Sequence, residues 1–413
     1  MNIQSVNSSN RSSTWPLSIK FFFRLMVCVW LCCTLFVAGC STPDPLAAAV
    51  NSERRPFADA IDVAVAGLLR QLPATSDLLA SRDRRVAVLD PTLDAGSGHQ
   101  TTATLQLDRA TTEQVARQGN FEILPFEAAS LAKTTYLLTG TLQRMQGAFS
   151  VNLALVDVRS ARVVAQSSAM ARLEGVDMRP LPYYRDSPVV VKDKVIDGYV
   201  RTASTPPGQN ADGTYLQRIA AATVLNDATM LYNAARYREA LGEYRSALSM
   251  PAGDQIRSLN GIYLSHVRLG QMGEAEEAFG QLVAYGIVSN SLGVKFLFNP
   301  GSVDFWSDPK VTSAYGMWLR QIAREMSAAK VCIDVIGHTS ATGTEAVNDA
   351  LSMRRAAAIK RRLGIETPEV LSRLRTQGMA ARHNIVGTGS DDVVDAPERR
   401  VEFAIVDCKG DEK

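Results

Sequence analysis

The sequence predicts a multidomain α+β protein: an N-terminal α/β domain, a short α-helical repeat segment and a C-terminal α/β sandwich. Three observations carry that expectation. Short β-branched runs with period-two alternation, interspersed with amphipathic stretches, fill residues 58–205. A helix-patterned region at 212–288 repeats itself at an offset of 35 residues. From residue 292 onward, strand-like runs are spaced by helical patterns of about 15–20 residues.

At 413 residues the chain is long enough for two to four domains, each with its own core. An apolar content of 46% with 21% charged residues describes globular protein and excludes both disorder and a membrane bundle. The formal charge is +2, but the first 39 residues hold Arg11, Lys20 and Arg24 and no acid. The remainder carries 41 basic against 42 acidic residues, so no electrostatic case for nucleic acid survives.

Residues 1–39 read as a signal peptide. Lys20 and Arg24 flank the apolar run MVCVWLCCTLF, which leads into Val37-Ala38-Gly39-Cys40. About eleven apolar residues are too few for a stable span and suit a signal h-region. The small residues followed by cysteine resemble the lipobox of bacterial lipoproteins. That resemblance implies lipidation of Cys40, which becomes the mature N-terminus. With Ser41 next rather than aspartate, it also implies the outer membrane, periplasmic face, where two or more acyl chains anchor stably. The alternative is an uncleaved anchor or a buried hydrophobic helix. Beyond Cys28, Cys32, Cys33 and Cys40, only Cys332 and Cys408 remain. The histidines (His99, His266, His338, His383) are scattered, so no metal site and no cofactor are expected.

Residues 40–57 read as a tether. A helix follows from Ala58 (IDVAVAGLLRQL), then the strand RRVAVLD, a Gly96-Ser97-Gly98 loop and the helix TLQLDRATTEQVARQ. Strands are then expected at FEILPF, YLLTGTLQRM, FSVNLALVDV and ARVVAQSSA, the last two joined as a hairpin through Arg159-Ser160. This order resembles periplasmic lipoprotein domains related to FlgO and CsgG, which implies a central antiparallel ribbon. The Gly/Ser loop lacks the GxxxxGK[ST] pattern of a phosphate cradle. Pro206-Pro207-Gly208 reads as a linker. Tyr183-Tyr184 either packs a loop onto its own domain or stacks on a sugar or a partner.

In the repeat region, RYREALGEYRSAL aligns with QMGEAEEAFGQLV, so that Ala240 meets Ala275, Tyr244 meets Phe279, Tyr237 meets Met272 and Leu248 meets Val283. Small residues with an aromatic four positions on resemble tetratricopeptide repeats. Two such units are marginal alone and need caps or a neighbouring domain. They serve either as a groove for a protein partner or as a spacer.

Over residues 292–408 the motifs FLFNPGS, GHT…G…N..LS..RA, RL…G and RRVEF occur in order. They resemble the OmpA-like peptidoglycan-binding domain. That resemblance implies recognition of diaminopimelate, whose free end carries an ammonium and a carboxylate on one carbon. By position in the motif, the implied peptidoglycan ligands are Thr339, Ser340, Asn348, Arg355 and Arg399. Arginine suits the carboxylate because its fork is planar, bidentate and always charged. Two positions depart from the family pattern: Ser340 replaces an aspartate and Glu398 an asparagine. A charge-assisted hydrogen bond contributes roughly 1.5–3 kcal/mol against about 1 for a neutral one, so an uncompensated Ser340 lowers affinity by about an order of magnitude. Asp349, Glu345 and Glu398 are the candidates to restore the charge. The alternative is that GHTSATG only turns a strand into a helix. His338 reads as a hydrogen-bonded residue at a strand end.

If both KVCIDVIGHT and RRVEFAIVDC face the implied ligand, their strands are antiparallel and Cys332 and Cys408 form a disulfide in an oxidising periplasm. No Ser/His/Asp, Cys/His or paired-carboxylate arrangement has supporting context, so no enzymatic activity is expected. The expected function is a non-enzymatic lipoprotein linking the outer membrane to peptidoglycan and scaffolding an envelope complex. The alternative is an assembly factor for a secretion, flagellar or other surface system with weak or lost wall binding.

Overall fold

The computed structural model describes residues 49–72, 85–117, 121–299, 301–385 and 398–408. All of these belong to the compact unit Leu46–Lys413. The expected signal peptide, Cys40 and the first part of the tether lie outside the described residues. No helix among the described residues is long and apolar enough to cross a membrane.

The N-terminal sheet has seven strands: β1 (Ala49–Arg55), β2 (Arg85–Leu89), β3 (Leu93–Asp94), β4 (Phe121–Leu124), β5 (Tyr136–Met145), β6 (Ala148–Asp157) and β7 (Arg162–Ala171). Their order is β1-β7-β6-β5-β2-β4, with β3 beside β5. β5, β6 and β7 form an antiparallel ribbon, and every other pairing is parallel. Alternation sorts the side chains onto two faces. Leu138, Leu142, Val151, Leu153 and Leu155 share a core with α1 (Phe57–Leu69) and α2 (Thr102–Arg117). Leu137, Ala154, Val156 and Val163 face Ile196 and Tyr199 of α4 (Lys194–Ala203), which follows the short α3 (Pro182–Asp186).

Two stretches differ from expectation here. Residues 49–55, read as the end of a tether, are an edge strand parallel to β7. Their sequence AVNSERR carries little β-propensity; the open ladder of β7 supplies the partner groups. The Pro206-Pro207-Gly208 stretch is not a free linker. Gly208 N donates to Val163 O at 2.8 Å and Ala211 N to Ala161 O at 2.9 Å, so the turn is stitched to the β6–β7 hairpin.

The helical region comprises α5 (Ile219–Asn233), α6 (Tyr237–Ser249), α7 (Ile256–Arg268) and α8 (Met272–Val288), two hairpins packed through α6 and α7. α6 and α8 start 35 residues apart. Ala240 and Ala275 are both wholly buried, as are Tyr244 and Phe279. Met272 departs from the pattern: it is exposed, whereas Tyr237 packs partly on the core.

The C-terminal sheet contains β8 (Leu292–Val294), β9 (Cys332–Gly337), β10 (Leu374–Gly378) and β11 (Val401–Val406) in the order β10-β9-β11-β8, covered by α9 (Tyr315–Ala329) and α10 (Glu345–Glu366). β9 and β11 are antiparallel, and Cys332 and Cys408 are joined by a disulfide with Cα atoms 5.1 Å apart. The strand expected over VKFLF ends at Val294. There Lys295 N turns to Pro188 O at 2.8 Å while Val190 N donates to Gly293 O at 2.9 Å. Segment 188–190 thus takes the outer edge of β8, and Phe296 and Phe298 drop into the core. The Lys295 ammonium, buried with it, donates to Tyr184 O at 3.1 Å, and burial pushes its pKa down to about 8. One continuous core runs from Tyr183 and Tyr184 through the hairpins to Ile333 and Phe403.

Candidate functional site

β9 and β10 are parallel, so the loops after both strands open at the same end of the sheet, where α/β sites are commonly built. Two glycines let α10 lie directly on that end. A Cβ at Gly337 would stand 2.1 Å from Ser352 O, and one at Gly378 would stand 2.6 Å from Ser352 Oγ. Gly337, which opens the GHTSATG motif, is therefore required by packing rather than by a ligand.

Beyond Gly337 the chain stays threaded between its neighbours. His338 N donates to Arg400 O (3.1 Å) and Thr339 N to Ala380 O (2.9 Å). Gly343 takes φ +91°, and Thr344 then caps α10, accepting from Val347 N. Asn348, one turn into the helix, reaches back and donates to Thr342 O at 3.0 Å and Ser340 O at 3.4 Å. Ser340 Oγ and Thr342 Oγ1 are 3.1 Å apart, and Thr339 Oγ1 is buried with no hydrogen-bond partner among the described residues. Thr339, Ser340 and Asn348 are thus brought together on one loop and helix start.

Arg355 lies two turns further along the same face of α10, a rise of about 10 Å from Asn348. Its side chain is buried. Nε donates to Ser302 O at 3.2 Å and Nη2 to Asn299 O at 3.3 Å, and the guanidinium stacks 4.8 Å above Phe298. Arg355 therefore ties the FLFNPGS loop to the helix through two of its five N–H groups. Arg399 is half-buried and close enough to Tyr315 for its charge to offset part of the upward push that burial gives that phenol.

The three candidate charges occupy different places. Glu398 is wholly buried, accepts Ile385 N at 2.9 Å and lies 3.8 Å from Arg400, so it is absorbed by the fold. Asp349 and Glu345 are on the outside of α10, 2.6 Å and 3.6 Å from Arg382. Next to them is a pocket of about 290 Å³ lined by Gly343, Glu345, Asn348, Ala380 and Arg382. Ala380 adopts φ +46°, a strained conformation for a residue with a Cβ. Arg382 and Ala380 are not marked by any motif in the sequence. Only the parallel placement of β10 beside β9 brings their loop to the pocket.

His338 is buried and lies 3.4 Å from Glu402, with Arg400 donating to the same carboxylate at 2.7 Å. Burial lowers the His338 pKa, with Arg400 and His383 adding to the effect. Burial raises that of Glu402, but the neighbouring His338 ring and the charge and hydrogen bond of Arg400 bring it down to about 2. This is a structural cluster behind the pocket, and no group of metal-ligating side chains occurs among the described residues.

A model of the OmpA family matches residues 297–397. Among solved structures, the cell wall anchor of the T6SS from Pseudomonas aeruginosa is 22% identical, covering 28% of this chain and 78% of that one, with a TM-score of 0.23. The peptidoglycan-associated lipoprotein from Burkholderia pseudomallei is 22% identical, covering 28% and 89%, with a TM-score of 0.23. The periplasmic domain of Helicobacter pylori MotB is 18% identical, covering 29% and 75%, with a TM-score of 0.24. No curated protein matches the chain.

Proposed function

We propose that the protein is a non-enzymatic envelope lipoprotein whose C-terminal domain binds peptidoglycan. Cys40 would carry the lipid that holds it to the periplasmic face of the outer membrane. The observation that carries the reading is the coincidence of the OmpA-family match with a pocket walled by Asn348 at the start of α10. Recognition of the diaminopimelate stem peptide would involve Thr339, Ser340, Asn348, Arg355 and Arg399. The helical hairpins, both covered by neighbouring elements, suit a spacer better than an open groove for a protein partner.

Sedimentation of the full-length protein with purified sacculi tests this. Wild type is expected to pellet. Arg355→Lys keeps the charge but loses the fork that holds the Asn299 and Ser302 carbonyls, and is expected to pellet several-fold less. Failure of the wild type to sediment removes the anchoring role. It leaves the second reading, an assembly factor with lost wall binding, which the absence of a carboxylate at Ser340 favours.

A further inference from the structure

We propose that Asn384 positions one side of the pocket and that Gly96, in the N-terminal domain, backs it, so that peptidoglycan binding depends on how the N-terminal domain is seated. The inference rests on the peptidoglycan-binding reading above and concerns how the pocket is held in shape.

The pocket has two sides. Gly343, Glu345 and Asn348 belong to the loop that enters α10, whereas Ala380, Ala381 and Arg382 belong to the turn after β10. The first side is fixed by the helix, through the Thr344 cap and the Asn348 amide. The second has no helix or strand of its own, and the φ of +46° at Ala380 is strained, so it persists only where its surroundings hold it.

Asn384 holds it from within the domain. One end of its amide lies 3.1 Å from Thr339 O, Ala381 O and Glu398 Oε2. All three are acceptors, so this end is the NH2 group, and one side chain joins both loops of the pocket to a buried carboxylate. The same carboxylate oxygen accepts Ile385 N at 2.9 Å.

Gly96 holds it from outside. Its loop, residues 94–99, is closed on itself by Asp94, which accepts Ser97 N at 2.8 Å and shares backbone bonds with Gly98 and His99. A Cβ at Gly96 would stand 1.9 Å from Ile385 O, so bare backbone of one domain rests on the residue after Asn384 in the other. Any side chain there displaces Ile385 and, with it, the turn that lines the pocket.

The test is sedimentation of full-length protein with purified sacculi at about pH 4.5 and about pH 8, each variant being read relative to wild type, with melting temperatures taken alongside. Asn384→Asp sets a second carboxyl against Glu398, among Arg400, His383, His338, Glu402 and Asp94 of the facing loop. At the lower pH the two carboxyls share a proton and keep the hydrogen bond; at the higher both ionise and repel. Relative binding should stay within about two-fold of wild type at the lower pH and fall about ten-fold at the higher. Gly96→Ala should lower it several-fold at both. If Asn384→Asp gives the same relative binding at both pH values, or Gly96→Ala binds as wild type does, this assignment is overturned while the anchoring role stands. A fall that appears only once the variant has unfolded overturns it too. If wild type sediments at neither pH, the assignment and the anchoring role fall together.

Discussion

Tyr244 and Phe279 stand 35 residues apart at matching positions of two helical hairpins, and both are wholly buried. Their surroundings differ. Tyr244 stacks on Tyr183 with centroids 5.8 Å apart, and its hydroxyl is 3.1 Å from Thr229 Oγ1. Phe279 stacks on Trp318 at 5.7 Å, and the indole donates to Tyr263 OH at 2.8 Å. The first hairpin is therefore covered by α3, which leads out of the N-terminal domain, and the second by α9 of the C-terminal domain. Tyr183 N donates to Asn233 Oδ1 and its hydroxyl to Arg257 O, each at 2.9 Å, which fixes the first cover. Two repeat units are marginal because each end exposes an apolar face. Here each end is closed by a different domain, and that is why two suffice.

The largest way to break this comparison is to remove either aromatic. Tyr244→Ala and Phe279→Ala should each cost about 3–5 kcal/mol, measured by denaturant unfolding. If the two covers are part of one continuous core, both variants lower the same transition. Separate transitions would show that the hairpins belong to different folding units.

A smaller effect separates the two ends by pH. Beside the first hairpin, a small cavity is lined by Asp90, Tyr199, Tyr215, Thr229 and Arg257. Asp90 accepts a 2.5 Å hydrogen bond from Tyr215 OH. Burial pushes its pKa from 3.8 up to about 7, with the Tyr215 hydrogen bond and Arg257 pulling back and Asp108 adding to the rise. A raised folded-state pKa means that the native state holds a proton which the unfolded chain releases above about pH 4. The contribution is therefore fully present below pH 4 and lost as pH rises through 7. Asp90→Asn should match wild type near pH 4 and become more stable than it by about 2–4 kcal/mol at pH 8, read from unfolding free energies across that range. A constant difference between the two proteins would remove Asp90 from the account.

The smallest contrast is in the turns. Arg236 N donates to Leu231 O and Gln271 N to His266 O, closing the first helix of each hairpin in the same way. The left-handed residue in that turn is Ala235 (φ +59°) in one and Gly270 (φ +73°) in the other. Ala235→Gly should stabilise by up to about 1 kcal/mol and Gly270→Ala destabilise by about as much, visible as opposite shifts of the melting temperature.

What was readable along the chain follows local periodicity. The alternation in YLLTGTLQRM and FSVNLALVDV gave strands with the expected hairpin, and the FLFNPGS and GHT motifs fall in or at the edge of the region that matches the OmpA family, whereas RRVEF lies just beyond it. β1 was missed because AVNSERR has no strand signature of its own. VKFLF was overextended because a β-branched, aromatic run suits a buried turn as well as a strand. In the candidate site, the strand-to-helix turn that starts at Gly337 was legible from local pattern, and Asn348 was singled out by the resemblance to the OmpA-like domain. Arg382 and Ala380 were not, because nothing in their neighbourhood announces a pocket.

The sequence by itself determined the periodic elements, the 35-residue repeat and the loop-to-helix junction at Gly337, since each depends on residues a few positions apart. Only the tertiary structure decided which charges meet. It buried Glu398 against Arg400, set Asp349 beside Arg382 and turned Tyr183 into the cover of a hairpin. Those outcomes depend on which surfaces find partners across long stretches of chain, and burial is a property of the completed fold.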